Sequence, residues 1–341
     1  MKKHQLGFIA LICLLVVGLS ACAKTSDKKA ANKTTTITLA LDYTPNTNHT
    51  GLYVAKAKGY FKKYGIKVRF IQPPQNGPEG LIGAGKAQFG VSYQDVMAGV
   101  ITGKNKQPIT AIAALVQHNT SGIMSRKADG ITTPKAMTGQ KYGTWGLPIE
   151  QAIIKQVVDQ DGGNYNDVKL VPSNFSDEVA ALKSKKIDAI WVYEGWAVQN
   201  ANIQDYPVNY FAFRDINPTF DYYTPVLVGN NTYMKAHPKL TKDFVKAVAQ
   251  GYEYAAKHPK ASATILKQAN PELERGKSSE LVDASQNFLS KQYIADAKQF
   301  GYIDSKRWNA FYTWLNDNGL VKQKLTKDQG FTNKYLPVQA K

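Results

Sequence analysis

The chain has two cysteines in 341 residues, Cys13 and Cys22. That excludes a disulfide framework and any thiolate metal cluster. Arginine is scarce as well: Arg69, Arg126, Arg214, Arg275 and Arg307 are the full set. They are scattered, so no basic block of the kind that grips nucleic acid appears. Beyond the first twenty residues no apolar run approaches the roughly 20 residues of a bilayer span. The phosphate-cradling and dinucleotide glycine patterns, the zinc-protease HExxH and the hydrolase GxSxG are all missing. His4, His49, His118, His237 and His258 show no metal-ligand spacing.

What is present begins at the N-terminus. Lys2 and Lys3, the apolar stretch FIALICLLVVGL (8–19) and the small residues Ser20 and Ala21 read as a secretory leader, residues 1–21. Leu19-Ser20-Ala21-Cys22 resembles a bacterial lipobox. The resemblance implies cleavage before Cys22 and lipid on its thiol, and two or three acyl chains would anchor the protein stably. Cys13 would leave with the leader, so the mature chain would have no free thiol. Residues 22–36 are polar and basic and read as a disordered tether. The net charge is +17, mostly lysine spread along the chain. A diffuse positive surface suits an anionic envelope better than nucleic acid.

From about residue 37 the pattern alternates between strands and helices. ITLAL (37–41), IKVRFIQ (66–72), FGVSY (89–93) and ITAIAALVQ (109–117) read as strands. Residues 50–64 read as one amphipathic helix, with 79–87 and 94–101 as shorter ones. The alternation restarts near 121, with strands at 121–127, 141–144, 168–173, 187–193 and 207–213 and helices at 148–160, at 176–185 and from Glu194. After YYTPVLVGNN (222–231), residues 238–341 read as mostly helical. Such a chain predicts an α/β fold of two parallel-rich sheets covered by helices.

Residues 39–61, LALDYTPNTNHTGLYVAKAKGYF, resemble the opening of the thiamine-pyrimidine-precursor binding proteins and of the fungal thiamine-pyrimidine synthases. GVSYQ (90–94) and WVYEGW (191–196) fit the same family. The resemblance implies a type II periplasmic-binding-protein-like fold, with residues 37–122 plus 225–341 in one lobe and 123–224 in the other. It also implies a ligand between the lobes, an importer permease of the ABC class as partner, a monomer anchored outside the membrane by lipid on Cys22, and no cofactor. In open α/β sheets, ligands sit beyond the carboxyl ends of strands, and the candidate residues follow that rule.

Asp42 and Tyr43 close the first strand, and Tyr43 is placed to stack on a flat ring. Asn46, Thr47, Asn48 and His49 precede a helix, where capping competes with ligand contact. In the fungal synthases the residue matching His49 takes part in the reaction; here a hydrogen bond to ligand or loop is expected. Tyr93, Trp145 and Tyr193 end strands, and Tyr223 lies on the returning segment. Trp191, inside an apolar strand, reads as core. Glu194 directly follows a buried strand, where a carboxylate needs partners; the amine edge of a pyrimidine would supply them. Other ligands within the binding class are riboflavin or another heterocycle, or a sulfonate or nitrate, though anions would want arginine in these motifs. An enzyme like the fungal synthases is the alternative of another class. Those use iron and a cysteine-rich motif that the mature chain lacks.

Overall fold

A computed structural model describes residues 34–338, apart from 173, 174 and 176. The leader, Cys22 and nearly all of the tether lie outside the described residues. Ten strands form two five-stranded sheets. The first holds β1 (Thr35–Ala40), β2 (Ile66–Ile71), β3 (Phe89–Ser92), β4 (Ile109–Ala114) and β10 (Val226–Asn230), in the order β2-β1-β3-β10-β4. The second holds β5 (Ser121–Arg126), β6 (Lys141–Thr144), β7 (Lys169–Pro172), β8 (Ala189–Tyr193) and β9 (Val208–Ala212), in the order β7-β6-β8-β5-β9.

The two sheets share one plan. Three parallel strands lie side by side, and an antiparallel fourth joins them to the fifth. In each sheet that fourth strand follows a passage from the other sheet. β5 comes from β4 through residues 115–120, and β10 comes from β9 through 213–225. Central strands are mostly apolar because both faces are covered; β3 and β10 are buried at every position, including the polar Ser92 and Asn230 that end them. Phe89 of β3 stacks on Phe244 at 4.1 Å between ring centres, and Trp191 of β8 packs on Phe213 at 4.2 Å. Trp191 is core, as its sequence setting suggested.

Two elements differ from the sequence reading. The helix expected over 50–64 is two helices, Thr50–Ala57 and Tyr60–Lys63. Gly59 sits at φ +74°, a left-handed conformation that ends the first turn run and reorients the second. Toward the C-terminus, helices Pro238–Lys257, Pro259–Ala269, Lys277–Leu289 and Ser305–Asp317 form. Residues 318–338 are not helical: Gly319 and Gly330 take positive φ, and Phe331 bridges to Ala111 on the edge strand β4.

Helices Thr50–Ala57 and Pro238–Lys257 cross with almost no gap. A methyl group on Gly251 would lie 2.0 Å from the Gly51 carbonyl oxygen, and one on Gly51 would lie 2.2 Å from the Tyr252 ring. This approach brings the Tyr252 hydroxyl to the Asn48 carbonyl at 2.6 Å, while Tyr293 donates to the Thr47 carbonyl at 2.7 Å. The turn carrying the Asn46–His49 motif is thereby held rigid from beneath.

Candidate functional site

The Asn46–His49 turn closes on itself and on the first strand. The Asn46 side chain accepts from the Asn48 N–H at 2.9 Å, and the Asn46 N–H donates to His49 Nδ1 at 3.2 Å. Because Nδ1 accepts, the ring proton sits on Nε2, which donates to Asp42 Oδ1 at 2.6 Å. The Tyr93 hydroxyl donates to the other Asp42 oxygen. Burial by itself pushes the Asp42 carboxyl upward. The imidazole of His49 and the hydroxyl of Tyr93 outweigh it and hold that carboxyl below the ordinary range. Four residues picked from sequence thus form one unit: Asp42, Asn46, His49 and Tyr93. His49 is wholly buried and both its nitrogens are engaged, so in this arrangement it positions Asp42.

Tyr193, at the end of β8 in the second sheet, lies within electrostatic range of Asp42 and Tyr93. Its hydroxyl lies 3.4 Å from Thr224 Oγ1. Burial, then the negative charges of Asp95 and Asp42, push its ionisation far up, so it stays a neutral phenol. The chain therefore brings the C-terminal ends of β1, β3 and β8 within electrostatic reach of one another.

Asp95 was not singled out from sequence. It follows Tyr93 by two residues at the start of helix Gln94–Thr102. Its Oδ1 is sealed from solvent and accepts no hydrogen bond among the described residues. Burial pushes its carboxyl up to about 6, against backbone hydrogen bonds from Val96 and its own N–H, and Glu79 adds to the rise. Glu79 is itself buried and accepts from the Ser92 hydroxyl at 2.6 Å. The one sequence signal for Asp95 is an acid in the first turn of the helix that follows β3.

Large apolar side chains left in solvent are few. Tyr43 (62% exposed), Val96 (38%), Trp145 (45%) and Leu147 (55%) all sit just past the C-terminal ends of β1, β3 and β6. Exposed Leu170 and Val338 lie elsewhere. Trp145 leans on Trp191 with ring centres 5.8 Å apart. Its loop is held by Glu150, a buried residue that sequence reasoning passed over because no Ser, Thr, Asp or Asn cap precedes that helix.

Glu194 starts a π-helical turn, Glu194–Val198, a rare geometry found often at functional sites. Its N–H bonds the Thr120 carbonyl at 2.9 Å. Its carboxylate accepts no hydrogen bond from any described side chain or backbone group. Burial raises that carboxyl, Arg214 opposes the rise and Asp215 adds to it. The turn packs on helix Lys277–Leu289: a methyl group on Gly195 would stand 3.1 Å from Phe288. No hydrogen bond or ring contact links Tyr43, Trp145 or Glu194 to the Asp42 unit.

Tyr223, expected at the site, has a fully buried side chain. Its hydroxyl accepts from the Asp304 N–H at 2.8 Å and from Arg307, whose guanidinium also lies 4.1 Å over the ring. A segment crossing between sheets must satisfy its polar groups internally, and here Tyr223 does so against the C-terminal helix.

Among the described residues, no group of three or more His, Cys, Asp or Glu is arranged to hold a metal ion. No helix among them is long and apolar enough to cross a membrane.

The chain has known relatives. A formylaminopyrimidine-binding protein of Halalkalibacterium halodurans is 26% identical over 96% of this chain and 98% of its own length. A 4-amino-5-hydroxymethyl-2-methylpyrimidine phosphate synthase of Uromyces fabae is 24% identical, over 88% of this chain and 87% of its own. The solved alkanesulfonate-binding protein SsuA of Xanthomonas axonopodis pv. citri, bound to MOPS, superposes with a TM-score of 0.65 at 11% identity, covering 87% of this chain and 98% of that one. The fold is that of the type II periplasmic binding proteins. The model of the family described as NMT1/THI5 like matches residues 46–262, well over half the chain, and the chain belongs to that family.

Proposed function

We propose that this chain is the extracytoplasmic solute-binding lipoprotein of an ABC importer, and that it captures an aminopyrimidine precursor of thiamine. The observation that carries the reading is the placement of exposed Tyr43, Val96, Trp145 and Leu147 past the carboxyl ends of strands. Apolar and aromatic faces in water, at the edge where α/β folds bind ligands, suit a flat ring. Two carboxylates past the ends of β8 and β3, Glu194 and Asp95, have unspent acceptor capacity among the described residues. A pyrimidine with an exocyclic amine offers matching donors, and a protonated ring nitrogen would make the bond charge-assisted.

In this reading Tyr43 and Trp145 cover the ring, Glu194 reads its amine edge, and the Asp42, Asn46, His49, Tyr93 and Tyr193 group shapes the floor. The lobes, 37–122 plus 225–341 and 123–224, would hinge about the two passages between sheets. A ligand that binds the closed state better would drive closure. The closed form would then meet the permease, while lipid on Cys22 keeps the protein at the membrane. The names of the Halalkalibacterium and Uromyces relatives, a formylaminopyrimidine binder and a pyrimidine phosphate synthase, support the ligand class.

Synthase chemistry in this chain is the competing reading. His49 weighs against it: its two nitrogens are spent on Asn46 and Asp42, so neither is presented to a cofactor. A thermal-shift and native mass spectrometry screen with formylaminopyrimidine, thiamine, riboflavin and taurine tests the proposal. A ligand at a hundred times its Kd adds about 2.7 kcal/mol of stability. Stabilisation by the pyrimidine alone is expected; a response only to riboflavin or taurine would reject the ligand assignment. Release of a pyrimidine on incubation with iron and pyridoxal phosphate would establish the synthase.

A further inference from the structure

Glu150 takes more hydrogen bonds than any cap requires. It lies at the third position of helix Pro148–Gln160 and is 4% exposed. A capping glutamate satisfies one free backbone N–H of the residue before the helix, and Glu150 does so for Leu147 at 3.2 Å. It also accepts from the Tyr142 hydroxyl at 2.8 Å, from the Thr144 hydroxyl at 3.1 Å, and from the Trp145 N–H with both oxygens at 3.1 Å. The Thr144 oxygen in turn accepts from the Gly146 N–H at 2.9 Å. Every N–H of the loop Trp145–Leu147 therefore ends, directly or through one hydroxyl, on this one carboxylate.

The loop so fixed is the one that leaves Trp145 and Leu147 in solvent. Trp145 gains only a partial contact with Trp191 and Leu147 stays more than half exposed, so apolar packing alone does not fix the loop. A Gly at φ +74° (Gly146) sits between them, a residue that would otherwise give the backbone wide freedom. We infer that Glu150 is a positioning residue for ligand capture: through the backbone of residues 145–147 it presents Trp145 as a rigid wall of the site. This rests on the ligand reading above. Preorganisation of that kind raises affinity by removing the ordering cost at binding.

The test uses Glu150→Gln, which keeps shape but turns one acceptor into a donor facing donors. Hydrogen exchange on the unliganded protein reads the loop without any ligand. Exchange at the amides of Trp145, Gly146 and Leu147 should speed up at least about tenfold, while β8 and the later turns of helix Pro148–Gln160 keep wild-type rates. With formylaminopyrimidine as probe, Kd should rise about tenfold in Glu150→Gln. In a Trp145→Ala background the same change should raise it less than about twofold, because the route runs through Trp145. Unchanged loop exchange, or an equal loss of affinity in both backgrounds, overturns the inference. Wild-type protein that ignores the probe would refute the ligand reading instead, and the exchange result still decides the role of Glu150. If Glu150→Gln does not fold, Tyr142→Phe removes one donor, and its loop should exchange faster in the same three amides.

Discussion

Replacing Asp95 by Asn should make the protein more stable, and only above a definite pH. The Asp95 carboxyl is displaced from its ordinary 3.8 to about 6, burial being the chief cause. Each tenfold step in an ionisation equilibrium is worth about 1.4 kcal/mol, so the displacement corresponds to roughly 3 kcal/mol of penalty on the ionised folded state. Asp95 is partly exposed, and solvent screening trims that to about 2 kcal/mol. The folded state holds its proton more tightly than the unfolded one, so stability falls as pH rises from about 4 to about 6 and then levels off. Asn cannot ionise. The variant should match wild type at pH 4 and exceed it by about 2 kcal/mol at pH 8, which is near 3 °C in Tm for a chain of this length. Paired thermal melts of the unliganded proteins from pH 4 to pH 8 measure the difference directly. A difference that does not change with pH, or a variant less stable at pH 8, would refute the reasoning. Under the proposed function the same variant should bind formylaminopyrimidine more weakly, the usual trade of stability for a working carboxylate.

Further outcomes follow from other residues. Glu194→Ala should weaken formylaminopyrimidine binding about tenfold or more by calorimetry, and Tyr43→Ala up to about tenfold, as expected for a lost stacking partner, both with little change in Tm. Gly251→Ala should destabilise by about 2 kcal/mol or more in denaturant unfolding, since its methyl would meet a backbone oxygen 2.0 Å away. His118 bonds Asp221 at 2.7 Å and Asp296 at 2.8 Å. The Asp221 bond chiefly raises its imidazole, against burial and Arg307. Its stabilisation is then complete below about pH 6.5 and lost as pH rises through the folded value. His118→Gln should therefore lose more stability at pH 5.5 than at pH 8.5 in urea titrations.

How far the site could be read varied with the kind of signal. Strand ends announce themselves in an apolar run that stops at a polar residue, so Asp42, Tyr93, Tyr193 and Glu194 were placed at the ends of β1, β3 and β8 without coordinates. Tyr223 looked equivalent, an aromatic on a crossing segment, yet it is buried against Arg307 and Trp308. Nothing local distinguishes a tyrosine at a strand end from one that closes a core. Glu150 and Asp95 went unnoticed because their importance lies in what surrounds them. A glutamate in a first helical turn is ordinary until Tyr142, Thr144 and two backbone amides converge on it.

The amino-acid order alone settled the succession of strands and helices, the paired-sheet architecture and the family, because these rest on periodicity and on a contiguous motif, both written along the chain. It also settled the scarcity of thiols and arginines that narrows the chemistry. Only the tertiary structure decided which aromatics remain in water, that Arg307 closes over Tyr223, and that Asp95 carries an oxygen with no partner among the described residues. Those properties depend on groups separated by tens to hundreds of residues, such as Thr47 and Ser285, whose hydroxyls meet at 2.6 Å. Desolvation and hydrogen-bond satisfaction are set by such neighbours, and no local pattern in the sequence records them.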